Sequence, residues 1–271
     1  MKKVKAIHIK QNGSTITVGS MTANNLINYT EVDPYNPDLD FSDENQGYQR
    51  SANETRVKKL GNFLDDSIRN KKNFPMPTAI LLSDRGCKVK YDDDSISFPT
   101  DTKFKLIDGQ HRVRGIRHAI ESRNNNDLGD YEYPIVILRG LDKMQEMEQF
   151  RKVNGEAKSV RTDLVNMMLT QIQSSLGDDQ IQEGEKWKVI ATKVIKKLND
   201  TKDSPWYDKI IMPNQSRYTK AEIDQDKTKK HRRVTPATSF ITSLRPIITQ
   251  MHESRIWSGT MTIDNKASSL Y

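Results

Sequence analysis

The stretch Phe104-Lys-Leu-Ile-Asp-Gly-Gln-His-Arg-Val-Arg-Gly-Ile-Arg117 decides how this chain is read. Residues 103–107 form a strand pattern and Asp108-Gly109 a turn. From Gln110 to about Arg123 an apolar stripe of Val113, Ile116 and Ile120 marks a helix. A glycine between strand and helix lets backbone N–H groups point outward, and the helix N-terminus adds partial positive charge, so the turn is a natural phosphate cradle. His111, Arg112 and Arg114 crowd that helix end. Basic groups there oppose the macrodipole at a cost of a few tenths of a kcal/mol, which a bound anion relieves. Asp108 is suited either to cap the helix or to hold a magnesium ion. A capped helix with exposed basic residues is the plain alternative, because one glycine is a weak phosphate signal.

Outward from this centre the first half reads as mixed strands and helices. Residues 3–9 and 14–19 alternate around Asn12-Gly13, a hairpin signal. Residues 22–48 are polar and turn-rich, a long loop around a short helix. Residues 52–70 place Val57, Leu60, Phe63, Leu64 and Ile68 on one helical face, stopped by Phe74-Pro-Met-Pro77. Residues 78–83 and 133–138 are buried-strand runs, 87–91 and 95–98 an edge hairpin around Asp92-Asp93-Asp94, and 142–153 a helix with Met144, Met147 and Phe150 inward. The second half is helical. Thr162 is expected to cap a helix with the stripe Leu164, Val165, Met168, Leu169, Ile172 and Leu176. Trp187 to Leu198 forms another. Thr235-Pro236 reads as a cap with proline at the first position of a last helix, which Pro246 should kink. The expectation is an α+β protein: a small mixed α/β domain over 1–158, then a mainly helical, basic region over 159–271.

Composition narrows the class. The 271 residues are 34% hydrophobic, and 13 glycines bring the apolar share to about 39%, below the roughly 45–50% of a typical soluble domain. No run approaches the ~18 apolar residues that span a bilayer, and the N-terminus lacks the pattern of a signal peptide, so a cytoplasmic protein without a membrane partner is expected. The single cysteine, Cys87, excludes an internal disulfide framework and a multi-cysteine zinc site. The formal net charge is +7. Residues 31–48 carry six acids and no base, whereas 186–233 carry fourteen Lys/Arg against six Asp/Glu. That basic block, densest at Lys227, Lys229, Lys230, Arg232 and Arg233, is a candidate footprint for DNA; a solvated helix face is the alternative.

The segment Ile107-Asp-Gly-Gln-His-Arg-Val-Arg-Gly-Ile116 resembles the signature of the DGQHR-domain family, within the wider ParB/sulfiredoxin-like superfamily. Upstream, Tyr48-Gln49-Arg50, the helix holding Arg56 and Leu60, and Phe74-Pro75 are similar to the family's N-terminal segments. Downstream, Phe150-Arg-Lys-Val-Asn154-Gly-Glu-Ala-Lys158-Ser-Val160 is similar to the family's F-x-x-I-N-x-x-x-K-x-V segment. The resemblance covers about residues 46–165. It implies a small α/β domain that binds a nucleoside triphosphate. It also implies a link to DNA modification, including the B protein of the DNA phosphorothioation pathway, or to phage defence. Gln110 stands where sulfiredoxins carry their catalytic cysteine, so sulfinic-acid reduction is not expected.

On this reading Gly109 and the amides of Gln110 and His111 contact phosphate, and Arg112 pairs with phosphate oxygens as a fork. Gln49 and Arg50 close over the nucleotide. Asp108 holds magnesium or orients water, His111 binds phosphate or assists proton transfer, and Asn154 meets the base or the metal. The implied ligand is Mg2+ with ATP, GTP or CTP, and the implied activity is magnesium-dependent hydrolysis. Two alternatives stand beside it: a DNA-binding regulator without catalysis, and a ParB-like nuclease, for which no second carboxylate cluster with motif spacing is found. DNA-modification proteins or further copies of the chain are possible partners, and the oligomeric state is open.

Overall fold

The computed structural model describes residues 1–155 and 162–271, so Lys158, Val160 and the expected boundary at 158 lie outside the described residues. The protein is α+β. Its chain divides into two compact units, Met1–Asp33 with Ser51–Lys158, and Pro34–Arg50 with Ser159–Tyr271.

In the first unit, β1 (Lys2–Gln11) and β2 (Ser14–Thr22) form a hairpin whose turn residues Asn12 and Gly13 both have positive φ, the backbone a two-residue turn between twisted strands requires. Next come α1 (Ala23–Tyr29), β3 (Thr30–Glu31), α2 (Glu54–Arg69), β4 (Ile80–Ser83), β5 (Lys90–Asp92), β6 (Ser95–Phe98) and β7 (Phe104–Asp108). The unit closes with α3 (Gln110–Arg117), β8 (Glu132–Leu138) and α4 (Lys143–Gly155). One eight-stranded mixed sheet results, in the order β3-β7-β4-β8-β2-β1-β6-β5. β4 runs parallel to β8 and antiparallel to β7. Ile80, Leu82, Leu106, Ile135 and Ile137 from these three central strands are fully buried, which is why they read as apolar runs.

The helix expected to reach Arg123 is regular only to Arg117, and His118–Ser122 continue as a π-helical turn. α2 also departs from its expected face: Phe63 is exposed, while Gly61 and Asp65 point inward. Both differences come from the packing of α2 on α3. A Cβ on Gly61 would come within 2.6 Å of the His118 ring and 2.8 Å of Gly115 O, and a Cβ on Gly115 within 2.8 Å of Leu60. The two backbones therefore approach as only glycine allows. Further along, the buried Asp65 carboxylate accepts from Arg69 Nε (2.6 Å), Arg123 Nε (3.1 Å) and Asn125 Nδ2 (2.8 Å), tying α2 to the end of the π turn.

The second unit contains α5 (Thr162–Leu176), α6 (Glu183–Asp200), β9 (Ile210–Ile211), α7 (Lys220–Gln225), β10 (Thr235–Pro236), α8 (Ala237–Glu253) and α9 (Ile263–Ser268). Thr162 is the first residue of α5. Thr235 does not cap α8: Thr235 and Pro236 pair with Ile210 and Ile211, and Pro236 is the residue before the helix. Pro34–Arg50, loop-like in sequence, belongs to this unit. Tyr35 N–H donates to Gln49 O (2.6 Å), Gln171 Nε2 to Gly47 O (3.1 Å), and Asn214 Nδ2 to Tyr35 O (2.6 Å) and Gln49 O (3.1 Å). Irregular backbone inside a fold needs such side-chain partners. α5 buries Asp163, Asn166, Thr170, Gln171 and Gln173, and Gln171 holds this segment.

Burial works against the Asp65 charge, but the hydrogen bonds from Asn125, Arg69 and Arg123 outweigh it and hold its carboxyl below the usual range. A depressed folded pKa contributes stability that is complete above the unfolded value of about 3.9 and is lost as pH falls through the folded pKa. Asp65→Ala should destabilise the fold by about 2–3 kcal/mol at pH 7, since it strands the buried Asn125 amide. The same comparison below pH 3 should show a smaller gap, measured by urea unfolding at both pH values.

Candidate functional site

The strand-turn-helix at 104–117 forms as its residues dictate. β7 ends at Asp108, and Gly109 takes φ 103° and ψ 10°, a conformation that side chains other than glycine rarely adopt. A Cβ here would also lie 3.2 Å from Arg112 Nη2 and 3.3 Å from Ile80. α3 begins without a capping side chain, so Asp108 does not cap it. Its carboxylate instead accepts from Arg112 Nη2 (3.0 Å). The same guanidinium donates through Nη2 to Ala79 O (3.1 Å) and through Nη1 to Thr78 O. These contacts use three of the five guanidinium N–H donors. Arg112 is thus anchored across the entry to β4, with its side chain 17% exposed against 41% for Asp108.

The contacts between α2 and α3 run in register. Asn53 N–H donates to His111 Nε2 (3.0 Å), Arg114 pairs with Glu54 (2.6 Å), Leu60 meets Gly115, and Gly61 meets His118. Sequence numbers rise together on both helices, so α2 and α3 are parallel and their N-termini share one end of the unit. The turn at Gly109 therefore lies at the same end of the unit as the N-terminus of α2, a helix of 16 residues. α2 is capped by Asn53 Oδ1, which accepts from Arg56 N–H (3.0 Å), and Arg56 itself is exposed on its first turn. Sequence reasoning does not find Asn53, Arg56, Thr78 or Ala79 as site residues. Asn53 just before α2 is a capping signal, but nothing in it announces the neighbouring helix.

His111 accepts at Nε2, which places the proton of its neutral ring on Nδ1. Gln110 is buried at the start of α3. Asn154 Nδ2 donates to Phe150 O (3.0 Å) within α4, a back-bond along its own helix. Gln49 and Arg50 are residues of the second unit. Among the described residues no group of three or more His, Cys, Asp or Glu side chains could hold a metal. Asp108 can offer one oxygen to an ion, which suits magnesium arriving with phosphate and water ligands rather than a cage built by protein alone. Cys87 is remote from this chemistry. Its Sγ donates to Lys103 O (3.3 Å), and burial together with nearby Asp84 pushes its thiol up to about 11.

The basic block of the second unit is partly structural. Asp208 accepts from Arg233 Nε (3.3 Å) and from the Tyr218 hydroxyl (3.0 Å), and lies 3.6 Å from Arg232 Nη1. Arg233 also stacks over the Tyr218 ring (4.4 Å) and Arg232 over Tyr207 (5.5 Å). Lys229 lies 5.1 Å from the Tyr218 ring, Lys227 pairs with Asp224 at the surface (2.7 Å), and Lys230 is exposed.

No helix is long and apolar enough to cross a membrane among the described residues. Residues 4–168 match the family model DndB, described as DNA-sulfur modification-associated. No curated protein and no solved structure matches the chain.

Gly109→Ala forces a Cβ into both a positive φ and the Arg112–Ile80 contact. It should cost about 1–3 kcal/mol and weaken any anion held at the turn, whereas Gly86→Ala, also at positive φ but with open space around it, should cost stability alone. Thermal unfolding with and without inorganic pyrophosphate separates the two effects.

Proposed function

The chain belongs to the DndB family of DNA-sulfur modification-associated proteins, and from that premise we propose that it is a nucleoside-triphosphate-binding accessory protein whose second unit contacts DNA. The observation that carries the first half is the convergence of the α2 and α3 N-termini on the uncapped, left-handed Gly109 turn. Two aligned macrodipoles and outward amides favour an anion. Gly109, Gln110 and His111 supply backbone donors, and Arg112 supplies the guanidinium donors its three anchoring contacts leave. Arg112 is a positioned group rather than a searching one, because Thr78, Ala79 and Asp108 fix it. The nucleotide role of this turn matches what the DGQHR and ParB-like resemblance implies.

Asp108 is the residue that would hold magnesium, with phosphate and water completing its shell. The ion would neutralise phosphate charge during transfer. Asp108 also serves to orient a water, and His111 binds phosphate or assists proton transfer. Asn154 stands as a further nucleotide contact only through the resemblance.

DNA contact is assigned to Lys227, Lys229 and Lys230. Arg232 and Arg233 border this surface, but their ties to Asp208 make them its framework. The exposed pair of Lys227 with Asp224 breaks at little cost, so the lysine is available to phosphate.

Arg112→Ala should raise the dissociation constant for ATP, GTP or CTP with magnesium about 10–100-fold by calorimetry, the loss of one or two charge-assisted hydrogen bonds. Equal binding by the variant and the parent contradicts the reading. Asp108→Asn should abolish hydrolysis while leaving magnesium-free binding intact. In salt titrations of duplex binding, replacing Lys227, Lys229 and Lys230 with Gln should reduce the slope of log K against log salt by about 2–3. Salt-independent DNA retention would remove the second half of the proposal.

A further inference from the structure

We propose that a cleft in the second unit, bounded by α6, α8 and α9, binds a single purine-type heterocycle stacked on Trp187. The cavity measures about 270 Å³, at the small end of ligand sites and of a size for one fused ring system. Trp187, Trp257, Ile190, Ile248 and Ile263 give it an apolar wall with two aromatic faces. Trp257 is buried and its indole N–H is satisfied by Ser269 Oγ at 2.9 Å, so it offers hydrocarbon surface and no stray donor. Trp187 is half-buried, and Arg245, which does not line the cleft, lies 5.0 Å from its ring. That contact steadies the indole from outside.

The rim distinguishes a heterocycle from a purely apolar occupant. His252 and Lys266 bring donors and Glu253 an acceptor, while Lys186 and Glu183 pair with each other (2.7 Å). A purine edge carries both kinds of group, and its face stacks on indole regardless of sequence. A leucine or phenylalanine side chain from a second copy would engage neither His252, Lys266 nor Glu253. The cleft lies wholly within the second unit, so the inference does not depend on the phosphate site of the first.

The chain has three tryptophans, and Trp206, packed against Phe240 at 4.5 Å, can be replaced by Phe so that only the two cleft tryptophans emit. Adenosine and guanosine, which lack phosphate, should quench this emission saturably. Trp187→Leu, read on Trp257, should raise the apparent dissociation constant at least tenfold, and Arg112→Ala should leave it unchanged. His252→Ala with Lys266→Ala, both at the rim, should weaken purine binding without altering quenching by toluene, which keeps the test open if Trp187→Leu perturbs the fold. A single-stranded oligo(dA) serves as the second arm: quenching by it at lower concentration than by adenosine assigns the source as an unpaired strand, and the reverse assigns a free nucleoside. Absence of saturable quenching by both probes would overturn the proposal. So would toluene quenching as strongly as adenosine, persistence of purine binding in Trp187→Leu, or quenching by protein concentration alone, the mark of a second copy in the cleft.

Discussion

The close parallel contact of α2 with α3 is the constraint on which the proposed anion site of the first unit depends. It exists because Gly61 and Gly115 carry no side chain where the helices meet, each position having room for no more than a hydrogen. Once the axes are this close and run the same way, their N-termini must emerge together. The Asn53–His111 and Glu54–Arg114 contacts are consequences of that alignment. The cost of placing basic residues at a helix N-terminus is moderated locally: Glu54 takes Arg114, and Asp108 takes Arg112. The two carboxylates hold Arg112 and Arg114 in place at the start of α3.

The second unit solves a different problem. Its low apolar content would leave a conventional core thin, and instead polar side chains on α5 and α6 clasp the irregular segment Pro34–Arg50. Lys196 illustrates the arrangement, buried with its ammonium donating to Pro37 O (2.9 Å) and Asp200 (2.9 Å). Buried polar groups are tolerable where each finds a partner. The same logic governs the basic block, where Asp208 and two tyrosines order Arg232 and Arg233 and leave Lys227 and Lys230 outward.

Legibility from sequence tracks the range of the interactions. The β1–β2 hairpin, the central strands and the β7–Gly109–α3 turn are readable because period, turn residues and glycine act locally. The inward face of α2 misleads at Phe63 because a close helix contact rewards glycine at 61 over an aromatic at 63, and periodicity counts only hydrophobicity. The shortened α3 reflects Asp65, 58 residues before Arg123, gripping the chain just past the π turn. The carbonyls of Thr78 and Ala79 that seat Arg112 carry no side-chain signal at all. The assignment of Pro34–Arg50 to the second unit is hidden for the same reason: its partners Gln171, Lys196 and Asn214 are more than a hundred residues away. The link to DNA-sulfur modification, by contrast, is carried by a few adjacent residues, and in that respect the resemblance agrees with the family match over residues 4–168.

That two parallel helix N-termini and the Gly109 turn form one anion site is tested most directly by backbone amide chemical shifts during titration with magnesium and a nucleoside triphosphate. The largest perturbations should fall together on Gly109, Gln110 and His111 and on Glu54 to Arg56, with the same midpoint. Perturbations confined to other parts of the chain, or their absence with ATP, GTP and CTP alike, would contradict a shared site.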